Sequence, residues 1–361
     1  HKIVSRRAMV SYSEAAKGGF LHFHTQLRPL RPKIPLKNHL NILTFSVSVC
    51  YTICSYAQFL RLHLLLYTHG GNDMIRILTD SASDILPAEA AQLGVSLVPL
   101  NVTFEDGSVI RDGVDLTPSE FYTRMETCHH LPMTSQPSPE LFERFFREAD
   151  EAGDIVIGIF LSHELSGTYQ CAKLAADMAN VDNVRFVDSS TVCLGEALLV
   201  HLAAKLRDEG RTADQIVDAL ETAKQHLHLV AGIDNLKYLR KGGRLPAAAA
   251  VAGGMLGIKP LICVQDGKVV LAGKARGLPG AYVALFKKID EMGGIHPDFA
   301  PMAGYTVSPR EIQPIQNYLC ENLGVNDLMV RQIGCVIGTH AGPGAFGLAF
   351  FDKELDLSAQ N

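Results

Sequence analysis

Tryptophan is absent from the 361 residues, and so is any CxxC pair among the eight cysteines. Without such pairs neither a zinc knuckle nor a disulfide framework is indicated. The six cysteines after Met74 are scattered and are expected to be reduced thiols in a cytoplasm. No G-x-x-x-x-G-K-S/T occurs, which excludes nucleotide hydrolysis by a phosphate-binding loop. One G-x-G-x-x-G does occur, over 342–347. Pro343 sits inside it, and "LAFF" follows where a dinucleotide fingerprint needs a helix, so it is rejected. No metal or cofactor is expected.

A basic excess is missing too. The chain has 33 Lys/Arg and 38 Asp/Glu; residues 1–73 hold nine and two of these, leaving 24 basic and 36 acidic residues for the rest. An acidic body of that kind excludes nucleic acid as an expected partner. The sign of the charge changes at Met74. Ahead of it lies the stretch "LNILTFSVSVCYTICSYAQFLRLHLLLY", long enough for a membrane anchor but diluted by Ser, Thr, Gln, Arg61 and His63. It also lies too far inward for a signal peptide. Gly70-Gly71, which a ribosome-binding GGAGGN can encode, stands just before Met74. The expectation is that 1–73 is upstream DNA read in frame or a disordered extension, with no stable membrane span in the native protein.

From Met74 on, the chain alternates. "MIRILTD", "VSLVPLNVTF" (a bent strand or strand pair), "DIVIGIF" and "VRFVD" read as strands. Between and after them come helices in "LPAEAAQLG", "PSEFYTRME" behind the capping box Thr117–Glu120, "PELFERFFREADEAG", the segment after Gly167, and "TVCLGEALLVHLAAKLRDEG". Such alternation implies βαβ units and a parallel sheet covered on both faces. The second half begins with the strand "LVAGID" and the short helix "NLKYLRKGGR". A small-residue helix "PAAAAVAGGMLG" and a hairpin about Asp266-Gly267 follow. A helix from Leu278 to Met292, the strand "MAGYTV", a long helix opened by a capping box at Ser308, and strands in "DLMVRQIG" and "VIGTHAGPGAFGLAFF" complete it. The expected architecture is α/β in two domains: 74–226 with a parallel sheet flanked by helices, and 227–356 with a mixed sheet and helices.

Several motifs carry chemistry. Asp80, Ser81 and Asp84 in "TDSASD" are expected to cap the next turn and helix. Thr134 and Ser135 in "LPMTSQPSPE" read either as a rigid polar loop or as hydroxyls at the C-terminal edge of the sheet, where open α/β sheets bind ligands. Ser166 and Gly167 stand at another such edge, ahead of a helix N-terminus, an arrangement suited to a small anion. In "NLKYLRKGGR", Arg240 and Lys241 complement a helix dipole, while Arg244 lies past the glycines on backbone open to a ligand. His340 is expected in a loop between apolar strands, with Thr339 and glycines beside it, and is read as a ligand contact.

"TDSASD", "TSQPSP", "LSGTYQ", "NLKYLRKGGR", "GIKPLI" and "GTHAGPGAFG" stand in the order and spacing of the DegV family of bacterial fatty-acid-binding proteins, which the chain resembles from Met74 to about Asp352. The resemblance implies a long-chain fatty acid in the crevice between two α/β domains. Thr134 and Ser166 would bond its carboxylate with Ser135, Gly167 and His340 close by, and Arg244 would stand at the mouth. It also implies a carrier with no catalytic residues, presenting the acid to a fatty acid kinase in the cytoplasm. An acyl tail of ~14 methylenes at ~0.8 kcal/mol each supplies on the order of 10 kcal/mol before association costs. Small residues in "PAAAAVAGGMLGIKPLI" are expected to wall its tunnel. Two other classes stay open: a serine esterase or thioesterase using Ser166 and His340, although "HELSGT" is not the G-x-S-x-G elbow, and a membrane-anchored lipid-transfer protein.

Overall fold

The computed structural model describes residues 74–245 and 257–358. The segment 1–73 and the small-residue stretch 246–256, with the expectations placed on them, lie outside the described residues.

β1 (Ile75–Asp80) runs into the core and ends fully buried. The Asp80 carboxylate accepts from Ala82 N–H at 2.9 Å and Leu161 N–H at 3.0 Å, the capping role expected of it. α1 (Pro87–Leu93) opens on proline and stops at Gly94, whose φ of +60° suits glycine. β2 (Val95–Val98) and β3 (Asn101–Thr103) flank Pro99 and enter different sheets. β4 (Val109–Arg111) precedes α2 (Pro118–Glu126), where Thr117 and Glu120 exchange the two bonds of a capping box. Then come β5 (Met133–Ser135), α3 (Pro139–Ala152), β6 (Ile155–Phe160), α4 (Thr168–Ala179) and β7 (Val184–Asp188).

Strands β2-β1-β6-β7 form an all-parallel sheet, and β4-β3-β5 a small antiparallel one. This corrects one expectation. Thr134 and Ser135 lie on a strand rather than in a rigid loop, paired with Val102 and Asn101 of β3 in the small sheet. Pro99 ends β2 and redirects the chain into that sheet.

α5 (Leu194–Asp208) is apolar on nearly every side, as a helix without a solvent face must be. One side packs on Ile77, Ile157 and Ile159 of the parallel sheet, the other on Met302, Ala349 and Phe351 of the second sheet. α6 (Ala213–Ala223) was not among the expected helices, although Thr212 and Gln215 form a capping box and Ile216, Ala219, Leu220 and Ala223 recur at helical spacing.

β8 (Leu227–Gly232) and α7 (Lys237–Lys241) lead to the hairpin of β9 (Ile258–Gln265) and β10 (Lys268–Arg276). Asp266 and Gly267 both have positive φ, as a two-residue I′ turn requires. α8 (Gly277–Glu291) and β11 (Met302–Tyr305) follow. Ser308 opens a single 3₁₀ turn over Pro309–Ile312 rather than a full capping box, because the Glu311 carboxylate accepts from Thr306 N–H instead; α9 (Gln313–Leu323) follows the turn. The chain closes with β12 (Met329–Gln332), α10 (Cys335–Ala341) and β13 (Phe346–Phe351). The second sheet is mixed, in the order β10-β9-β8-β13-β11-β12. The architecture is α/β, with a parallel and a mixed sheet flanked by helices.

Candidate functional site

"VIGTHA" forms the helix α10, not the strand and loop expected of it. Its β-branched residues and internal glycine disguised it, and the contacts that fix the helix are long-range. The Asp84 carboxylate accepts from Gly334 N–H at 3.0 Å, and that of Asp112 from Cys335 N–H at 2.9 Å. These satisfy donors that a helix start leaves open. Thr339 Oγ1 turns back to donate to Cys335 O at 2.8 Å. Gly342, with φ +75°, ends the helix where a Cβ would strike the Tyr238 ring.

The last turn of α10 brings His340 to Thr134, with Nε2 and Oγ1 2.8 Å apart and sharing one hydrogen bond. The other ring nitrogen, Nδ1, has no partner and lies against the bare Cα of Gly242. Burial, helped by the nearby Arg244 cation, pushes the His340 pKa from 6.5 down to about 4, so the ring is neutral at pH 7. Arg244 is half-buried. Its Nε donates to Leu165 O at 3.1 Å and an Nη to Gly242 O at 2.6 Å. Among the described residues no carboxylate pairs with it, and burial lowers its pKa. Ser166 follows Leu165; its hydroxyl accepts from Thr168 N–H at 3.3 Å and shares a bond with Thr168 Oγ1 at 2.9 Å.

Thr134, Ser135, Ser166, Arg244 and His340 all line one cavity of about 130 Å³ that opens to solvent. Gly167 does not. It is the N-cap residue of α4, and its bare Cα lies against the Gln136 carboxamide. Gln136 itself lines the cavity and was passed over within "TSQPSP". Among the described residues, Ser166 and His340 share the wall without being bonded and no acid orients His340, so the Ser166–His340 pair of a serine hydrolase is not assembled.

Arg244 is the single charged residue among the described lining residues; most of the rest are aliphatic. The floor is the face of the mixed sheet turned toward α5. In register across it run Ile262, Ala231, Gly347 and Gly304, on β9, β8, β13 and β11. Two glycines and an alanine on central strands remove the side chains that would otherwise fill the space. The visible signal was glycine inside apolar strands, in "MAGY" and "FGLAFF", which marks close approach.

Comparison with known proteins decides the relationship. The family model described as "Uncharacterised protein, DegV family" matches residues 74–353. The chain belongs to the DegV family. A DegV domain-containing protein of Deinococcus radiodurans is 38% identical over 275 residues, covering 76% of this chain and 97% of the relative. Among solved structures, a fatty-acid-binding DegV family protein of Thermus thermophilus superposes with a TM-score of 0.71 at 33% identity, covering 77% of this chain and 99% of its own. A stearic-acid-binding protein of Eubacterium ventriosum gives 0.69 at 28% identity, covering 78% and 99%. This DegV chain therefore shares its fold with proteins solved as fatty-acid binders. Among its described residues, no helix is long and apolar enough to cross a membrane.

Proposed function

We propose that this DegV protein binds one long-chain fatty acid, with the carboxylate at the Thr134–His340 pair and the acyl tail over the Ala231–Gly347–Gly304 floor. The observation that carries the reading is Arg244: a half-buried cation without an acid partner among the described residues, beside a neutral imidazole, on the wall of a mostly aliphatic cavity. A cation so placed suits a ligand with one negative charge and a long apolar body, which gains a charge-assisted contact at one end and burial at the other. Ser166, Ser135 and Thr134 supply hydroxyls for two carboxylate oxygens.

The protein acts as a carrier without catalysis of its own, in the cytoplasm, and presents the acid to a fatty acid kinase that forms the acyl phosphate. Lys237, Arg240 and Lys241 then steer that partner. Native mass spectrometry of the full chain followed by organic extraction tests the reading. The expected result is a mass excess that extracts as intact free fatty acid. An empty protein that releases acid from an acyl ester, and loses this activity in Ser166→Ala, would replace it with a hydrolase.

A further inference from the structure

Two buried carboxyl groups lie at the start of α10, the end opposite His340. Asp84 and Asp112 are 7% and 3% exposed. They come from separate loops, one after β1 and one after β4, and converge on consecutive amides, those of Gly334 and Cys335. A Cβ on Gly334 would lie 2.6 Å from Asp84 and 3.2 Å from Asp112, so glycine is what lets both acids reach the same helix start. Burial raises the pKa of both, that of Asp84 to about 8, with the charge of Asp112 adding to the effect. Enclosing two acids side by side is unfavourable. Their hydrogen bonds offset part of that cost, and one from each acid goes to the start of a single seven-residue helix.

Asp84 also accepts from the Cys193 thiol at 3.1 Å, and its main-chain oxygen from Arg331 at 3.1 Å. Cys193 is the residue from which α5 starts, and it lines the ligand cavity. One carboxyl group therefore fixes the start of α5, which walls the cavity, and the start of α10, which delivers His340. Tyr122 completes the seat: its hydroxyl donates to Ile333 O at 3.1 Å, and its ring closes on Gly338. α10 is too short to hold its own axis by internal bonds, since a helix of that length has about as many open ends as closed rungs. The direction of its last turn is set by what grips its first.

We infer that Asp84 and Asp112 are positioning residues of the ligand site, which hold α10 in the orientation that places His340 against Thr134. The inference rests on the fatty-acid reading only for its binding readout. The test uses the full chain with ¹⁵N-labelled histidine, the His340 resonance being the one lost in His340→Gln. Asp112→Ala removes the acceptor. Cys335→Pro removes the donor while keeping a residue suited to the first helical position, behind a glycine already extended at ψ −174°. Both are expected to shift the His340 resonance and weaken binding of a C16 acid on the order of tenfold. Asp112→Asn, which keeps an acceptor oxygen, should stay within about threefold. In the wild-type chain, ligand addition should slow hydrogen exchange of the Gly334 and Cys335 amides, a measurement that survives failure of any variant to fold. Folded variants with unshifted His340 and wild-type affinity would overturn the inference, as would ligand-insensitive exchange at those two amides. A wild-type chain that takes up no fatty acid, while Asp112→Ala still moves His340, would remove the fatty-acid reading and leave the positioning role standing.

Discussion

Replacing Arg244 by glutamine keeps a polar side chain of similar reach and deletes the charge. In the free protein the change should be nearly neutral for stability, because among the described residues the guanidinium bonds to the carbonyls of Leu165 and Gly242 and has no acid to strand. Its effect should appear on binding. Two unit charges ~4 Å apart at an effective dielectric of about 20 attract by about 4 kcal/mol. Desolvation of the carboxylate takes back part of this, leaving roughly 1.5–3 kcal/mol for a charge-assisted contact, or about 10- to 150-fold in affinity. The informative comparison is between palmitate and hexadecanol, which share the tail and differ in charge. Wild type should prefer the acid by that factor, and Arg244→Gln should lose the preference while binding the alcohol as before. Titration calorimetry with both ligands reads it out. An unchanged acid-to-alcohol ratio in Arg244→Gln would refute the assignment of Arg244 to the headgroup.

Ala231→Leu places three more carbons on the cavity floor, displacing about three methylenes of tail, roughly 2 kcal/mol or about 30-fold for the longest acids; a C10–C18 affinity series should peak at shorter chains, and an unmoved peak would mean the tail runs elsewhere. Gly242→Ala would press a methyl onto His340 Nδ1, so about 1–3 kcal/mol of stability and the Thr134 contact should be lost together; a wild-type melting temperature with wild-type affinity would contradict this. His340 has a folded pKa near 4 against an ordinary 6.5, so the unfolded chain takes up its proton first and stability falls as pH drops from 6.5 to 4. Asp80 and Asp84, raised to about 7 and 8, slope the other way, their stabilisation being complete below pH 4 and lost as pH rises through those values. The histidine contribution is therefore isolated by difference: His340→Gln should gain on wild type between pH 6.5 and 4 in urea titrations, and parallel pH profiles would count against a buried neutral ring.

The alternating part of the fold was legible because its signals are local. Capping residues such as Thr117, stops such as Gly94 and the Asp266-Gly267 turn act within four residues of themselves. α10 was not legible, because its start is held by Asp84 and Asp112 from 250 and 223 residues away in sequence. No window along the chain contains both partners. The site shows the same division. Thr134, Ser135, Ser166, Arg244 and His340 stand out as polar residues among glycines and prolines, and the structure sets them on one cavity. The floor of that cavity depends on strand register, which pairs Ala231 with Gly347 and Gly347 with Gly304 only after the sheet has formed. Gly242 likewise reads as a helix stop, and its role beside His340 appears only in three dimensions.

α5 belongs to both sheets at once, and this ties the fate of the two halves. Severing the chain between residues 226 and 227 would leave the first half with the helix but with its far flank stripped of Met302, Ala349 and Phe351. The second half would keep a sheet face with nothing to cover it. Each fragment should aggregate alone and be rescued by co-expression with the other. The intact chain should melt in one transition, because the core around α5 draws on both sheets, beyond the separate core each sheet keeps on its other face.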